Sequence, residues 1–197
     1  AASVTAVTGD QLDAIGARNF QDYLNGLPGV QFHASTPGVS NVTLRGIGTA
    51  TIYPDQGQAT TGIYINDIPL TDPGFALSVP DLDVFDVQRV EVLRGPQGTL
   101  FGAASLGGAV NYVYNPVSLT ELQASIQSSV FDTTNNSDLG YSAKGMLNVP
   151  IVEDKLGLRL AAMTSDAPGY LDNIGSGNDG SNTHRVNSYR ANLLWQI

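Results

Sequence analysis

The chain has 197 residues, with 42% hydrophobic and only 14% charged residues, enough for one or two domains with real cores. Nine Lys and Arg against eighteen Asp and Glu give a net charge of −9 with no basic patch, which excludes a nucleic-acid surface. The absence of cysteine excludes zinc ribbons, iron–sulfur clusters and disulfide scaffolds, and no run of about 18 apolar residues offers a transmembrane helix. Ala1 to Val7 alternates weakly and predicts an edge strand. Thr8-Gly-Asp-Gln11 is a capping box that opens a short helix through Leu12 and Ile15, ended by Gly16. Asn19 caps a second helix with Phe20, Tyr23, Leu24 and Leu27 at helical spacing, and Pro28-Gly29 turns the chain into a strand at Val30 to Phe32.

Val42 to Leu44 is a strand that ends in Arg45-Gly46. The following Gly46-Ile-Gly48 is no dinucleotide fingerprint: the third glycine is missing, and Pro54 and Gly57 occupy the stretch where a helix would open. Gly62 to Ile65 and Ile68 to Leu70 form a hairpin through Asn66-Asp67, and Asp81 to Phe85 predicts one helical turn. From Val87 to Asn111 the chain reads as a strand, a sharp Arg94-Gly95-Pro96 break, and a glycine-paved run that returns to strand. Arg89, Glu91 and Arg94 stand among Val87, Val90, Val92 and Leu93, so charge is placed beside packed apolar surface. That is costly without partners, and nearby sequence offers few carboxylates beyond Glu91 and Asp86.

From Leu119 onward the pattern is long period-2 alternation. Leu122, Ala124, Ile126 and Val130 share one face of a first run, against Gln123, Ser125, Gln127 and Ser129. Further runs place Tyr141, Ala143, Gly145 and Leu147, then Leu156, Leu158, Leu160 and Ala162, then Tyr189, Ala191, Leu193 and Trp195 on one face. Each run is near the roughly 9–11 residues that a tilted strand needs to cross a bilayer. Pro150 to Lys155 is a tight connection, whereas Ser165 to Thr183 is long, polar and rich in Gly, Asn and Asp. Four such strands cannot close, so an open sheet with one apolar face needs further strands.

Catalytic chemistry finds little support. His33 and His184 are far apart and read as ordinary strand-end or loop residues; Ser105 lacks the spacing of a nucleophile elbow. Gly95 to Gly102 lacks the Lys-Ser/Thr of a phosphate loop, and Asp172 to Asp179 lacks the alternate-position spacing of a calcium loop.

Arg89 to Asn111, RVEVLRGPQGTLFGAASLGGAVN, resembles the closing signature of the plug domain of TonB-dependent outer-membrane receptors: R-[IV]-E-V-[IL]-[RK]-G-P-x-[GS]-x-[LM]-[YF]-G-x-x-[AS]-x-G-G-x-[IV]-N. The match is unbroken, and Gly95, Pro96, Gly98, Gly102, Gly107, Gly108 and Asn111 are its signature positions. SVTAVTGDQLDAIGARNFQDYLNGLPGV resembles the family's opening, Val42 to Gly46 its [IV]-x-[IL]-R-G element, and GIYINDIPL its hairpin, with Asn66-Asp67-Ile68 in place of Asp-Gly-Val.

The resemblance implies an α+β plug domain over 1–117, followed over 118–197 by antiparallel β-strands of an incomplete outer-membrane β-barrel of about 22 strands. The chain is then a fragment that begins after the TonB box and any signal peptide. The implied function is active uptake of a scarce ligand, a ferric siderophore or other small nutrient, energised by TonB and its inner-membrane complex, with outer-membrane lipid around the barrel. No enzyme activity, cofactor, metal or nucleic acid is implied. Arg45 and Arg94 would latch the plug to glutamates of the barrel wall, with Arg89 and Glu91 in the same set. Tyr53 and Phe75 are candidates in ligand-facing loops. The competing reading is a soluble β-rich carbohydrate-binding or adhesion module, whose alternation would reflect one solvated sheet face.

Overall fold

The computed structural model describes residues 3–17, 20–24, 26–36, 39–48, 59–70, 82–96, 98–102, 105–132, 138–171, 175 and 180–196. The chain divides into two compact units, Ala1–Asn115 and Pro116–Ile197.

In the first unit, β1 (Ser3–Thr8) leads directly into α1 (Gly9–Ala14). The capping box forms as read: Thr8 Oγ1 accepts from Gln11 N–H, and the Gln11 side chain accepts from Thr8 N–H at 3.0 Å. The helix α2 covers only Phe20–Leu24, not the longer stretch to Leu27. Gly26 and Pro28 disfavour a further turn, so Leu27 folds back through a bond from its N–H to Leu24 C=O and still packs on the core. The predicted cap Asn19 lies outside the described residues.

The chain continues through β2 (Val30–Thr36) and β3 (Val39–Leu44), which pair as a two-stranded hairpin. A five-stranded sheet is then built from β1, β4 (Thr61–Ile65), β5 (Ile68–Pro69), β6 (Val87–Arg94) and β7 (Gly108–Tyr114), in the order β1-β6-β7-β4-β5. β1 is the edge strand expected of it. β4 and β7 are parallel and the other pairs antiparallel. Asn66 and Asp67 both take positive φ (47° and 66°), the handedness of a type I′ hairpin. Two non-glycine residues are held there because Asn66 Oδ1 accepts from Tyr114 N–H and Asp67 bonds Asn111 on β7.

Two stretches depart from the pattern of their sequence. Leu82–Phe85 forms no helical turn; the buried Asp83 accepts from Phe85 N–H at 2.9 Å, an Asx-type turn that competes with helix. The glycine-paved run contains a one-turn helix, α3 (Gly98–Phe101), left at Gly102. One face of the sheet, with Val90, Val92, Val110, Tyr112 and Ile63, packs with Leu12, Tyr23, Leu24, Val42 and Leu44 into the core. Each fully buried aliphatic of this size contributes about 1.5–3 kcal/mol. The Tyr23 and Tyr112 hydroxyls bond one another inside it.

The second unit is a four-stranded antiparallel sheet of β8 (Gln123–Asp132), β9 (Leu139–Val152), β10 (Leu156–Ala167) and β11 (His184–Trp195), in the order β11-β10-β9-β8. Ser165, Asp166 and Ala167, read as loop, are paired strand opposite Val186, Arg185 and His184. β8 begins at Gln123, later than the alternation suggests, because Ser118 Oγ accepts from Glu121 N–H and curls the preceding residues. The tight connection is a turn closed by Lys155 N–H to Val152 C=O at 3.0 Å, with Asp154 at φ 59°.

Asn148, fully buried on β9, pins residues 118–121. Its Oδ1 accepts from Ser118 N–H, and its Nδ2 donates to the carbonyls of Ser118 and Glu121 at 3.0 and 2.8 Å. Asn148→Ala strands one donor and two acceptors and is expected to cost about 2–4 kcal/mol. The measurement is the heat-unfolding midpoint, together with amide exchange at Ser118, which should accelerate.

Candidate functional site

The two Arg-Gly elements end two different strands and meet. Leu44 leads into Arg45 (φ 54°) and Gly46, a left-handed pair closed by Ile47 N–H to Leu44 C=O. Arg45 N–H also donates to Gly29 C=O at 2.7 Å, which ties this turn to the Pro28-Gly29 bend. β6 ends at Arg94, and Gly95 follows at φ 103°, a conformation that side chains rarely adopt. A Cβ on Gly95 would stand 3.5 Å from Arg45 Nη1, so the Arg45 guanidinium lies over the residue next to Arg94.

Arg94 shares the core-facing side of β6 with Val90 and Val92, at the end of the core, and is half-buried. Its Nη1 donates to Pro28 C=O at 2.7 Å and its Nη2 donates to Thr5 Oγ1 on β1. Its Nε is buried with no partner among the described residues. Neither Arg45 nor Arg94 has a carboxylate partner among those residues. A half-buried guanidinium with no carboxylate partner among the described residues favours a carboxylate brought to it.

Arg89 and Glu91 lie on the opposite face of β6. They pair with each other, Arg89 Nε to Glu91 Oε1 at 2.6 Å, and Asn111 on β7 extends the network by donating to Asp67 Oδ1 at 2.8 Å. The four charged residues read as one set therefore divide between two faces. Signature glycines bring the backbone together: Gly95 N–H donates to Gly107 C=O, and Gly107 N–H to Thr60 C=O. At Gly108 a Cβ would lie 2.1 Å from Leu93 O and 2.6 Å from Leu44 Cδ1, so no side chain fits. Pro96 is exposed and Gly98 opens α3. Ser105 is buried, with its hydroxyl bonded to Tyr64, as a packing residue. Tyr53 and Phe75 lie outside the described residues. Thr5 and Pro28, which hold Arg94, carried no signal in the sequence that linked them to it.

The second unit has a sheet with its apolar side turned out. Ile126, Tyr189 and Trp195 are 89%, 79% and 70% exposed, while Asn148 and Arg159 on the other face are 0% and 5% exposed. Across the apolar face the register gives rows: Leu158 with Val149 and Leu193, Leu160 with Leu147 and Ala191, and Ala162 with Gly145 and Tyr189. Past these the face turns polar, with a Thr164–Asn187 hydrogen bond at 2.9 Å and then an Arg185–Asp166 ion pair. An apolar band ending in a polar row is the arrangement of a sheet face set against hydrocarbon. No described helix is long and apolar enough to cross a membrane, which says nothing of crossing by strands.

The family model of the TonB-dependent Receptor Plug Domain matches residues 1–109, more than half of the chain. The chain belongs to the TonB-dependent receptors. The pesticin receptor of Yersinia pestis is 28% identical over 179 residues, covering 90% of this chain and 24% of that protein. The vitamin B12 transporter BtuB of Photobacterium profundum is 27% identical over 124 residues, covering 58% of the chain and 18% of its own length. Among solved structures, the ferric yersiniabactin uptake receptor FyuA from Yersinia pestis superposes with a TM-score of 0.76 at 24% identity, over 98% of this chain and 28% of that one. The ferripyoverdine receptor of Pseudomonas aeruginosa does so at 0.73 and 21%, over 100% and 23%.

The chain thus spans about a quarter of the length of the Yersinia relatives it matches. As a TonB-dependent receptor it is an outer-membrane protein of plug and barrel-strand fold. Its relatives are receptors and transporters, and the soluble adhesion or carbohydrate-binding reading is left without support.

Proposed function

We propose that this chain is the N-terminal part of an outer-membrane transporter that imports a ferric siderophore, a scarce ligand above porin size, on energy delivered through TonB. The observation that carries the reading is the meeting of two Arg-Gly turns at one end of a plug-type fold, with no carboxylate for either guanidinium among the described residues. Glutamates of a barrel wall complete the pairs. Charge-assisted pairs hold the plug when made and release it when it is remodelled. Arg89 and Glu91 pair with each other on the opposite face of β6, so the proposed latch rests on Arg45 and Arg94. The turn at Pro150 to Lys155 faces the periplasm, the connections after Asp132 and Ala167 face outward, and the loops carrying Tyr53 and Phe75 meet the ligand.

Likeness to a ferric yersiniabactin uptake receptor and a ferripyoverdine receptor supports iron chelates as cargo; likeness to a vitamin B12 transporter keeps cobalamin as the control. The test expresses the full-length receptor in a strain lacking its own siderophore receptors. Radio-iron supplied as ferric yersiniabactin or ferripyoverdine, and labelled cobalamin, are then followed with and without TonB. TonB-dependent iron uptake is expected. Uptake of cobalamin alone, or iron uptake that persists without TonB, overturns the reading.

A further inference from the structure

We propose that Thr5 is a positioning residue that couples the N-terminal edge strand to the Arg94 guanidinium, so that β1 cannot leave the sheet without unseating that group. β1 pairs with β6 alone, and its register sets Ser3 opposite Arg94 and Thr5 opposite Val92. Thr5 and Arg94 therefore point to the same side of the sheet, and the arginine reaches along β1 to donate Nη2 to Thr5 Oγ1. Beyond its backbone ladder to β6, the strand's apolar side chains hold it lightly: Val4 is 56% exposed, and Val7 is its one described apolar side chain that packs on the core.

Arg94 has little to spare. Of its donors, Nη1 is spent on Pro28 C=O and Nε is buried without an acceptor among the described residues. Loss of Thr5 Oγ1 leaves a second donor idle in a half-buried setting, which is unfavourable for an ion. The strand and the guanidinium are thus two ends of one contact. Displacing β1 frees Arg94 to reorient, and an Arg94 drawn elsewhere loosens β1. This rests on the proposed function only for its consequence, that displacing the N-terminal strand would loosen the latch; the coupling itself needs no cargo.

The test is a double-mutant cycle read by hydrogen exchange on the full-length receptor in lipid nanodiscs, with no ligand added. Thr5→Val keeps the β-branched shape and removes the acceptor, and is expected to speed exchange of the β1 amides about tenfold, with β7 and the strands of the second unit unchanged. Thr5→Ser restores an acceptor and should exchange like the wild type. In an Arg94→Gln background the effect of Thr5→Val should shrink markedly, since its charged partner is gone. Equal acceleration in both backgrounds, acceleration by Thr5→Ser, or no acceleration by Thr5→Val would each overturn the coupling. If Arg94→Gln does not fold, the Val and Ser variants decide alone. A receptor that imports no siderophore leaves this cycle readable, so failure of the functional reading and failure of the coupling are separate results.

Discussion

Arg94→Glu in the full-length receptor is expected to abolish uptake of the ferric chelate while leaving the chelate bound at the cell surface. The substitution does more than remove a cation. The groups facing residue 94 are Pro28 C=O, an acceptor, and Thr5 Oγ1. A carboxylate there would confront the carbonyl oxygen and find one hydroxyl to accept from, and any wall glutamate that Arg94 latches would then meet a like charge. Breaking a partly buried charge-assisted site in this way costs about 3–5 kcal/mol. That is a large fraction of the stability of a domain of this size. Arg94→Lys keeps the charge but not the fork, and is expected to fall between the two. Uptake at the wild-type rate by the Glu variant would remove Arg94 from the mechanism. Arg45→Glu should act in the same direction more weakly, because Arg45 is exposed and holds its place chiefly through its backbone N–H to Gly29.

Gly108→Ala is the second large effect expected, and it acts on folding before function. The added methyl would sit 2.1 Å from Leu93 O, a backbone atom that cannot step aside, and 2.6 Å from Leu44 Cδ1, in a backbone at φ 145°. Relief requires β6 and β7 to part where Arg94 pairs with Gly108. The strand end that carries Arg94 would shift with it. The cost is on the order of 4 kcal/mol or more. Urea titration of the purified receptor, followed by a probe in the plug, should show its midpoint fall sharply while the barrel transition stays in place. Gly98→Ala serves as control, since a Cβ there meets nothing within 4 Å.

Local chemistry was legible in the sequence where neighbours decide the outcome. Thr8 and Gln11 cap α1 as the pattern dictates, Asn66-Asp67 turns as such dipeptides do, and the period-2 runs become β8 to β11 with the apolar side exposed. What escaped lies in contacts between distant segments. Arg94 is held by residues 89 and 66 positions earlier, and neither Thr5 nor Pro28 differs from any other strand threonine or turn proline until the fold brings them together. Asp83 overrode a helical pattern by bonding the backbone two residues on. The division of Arg89 and Glu91 from Arg94 follows from strand parity; the sequence contained it, but only the core face at Val90 and Val92 settles which side is which.

The family model ends at residue 109, so the lipid-facing role of β8 to β11 rests on their alternation and exposed apolar face. The direct measurement is spin-label accessibility in the full-length receptor reconstituted in bilayers, with single cysteines placed in turn at Ile126, Leu160 and Leu193 and at their neighbours Gln127, Arg159 and Asn192. Labels at the first three are expected to collide with dissolved oxygen and to be shielded from a water-soluble paramagnetic chelate, while labels at the other three show no such contact with lipid. Free access of the aqueous chelate to positions 126, 160 and 193 would contradict the lipid-facing role.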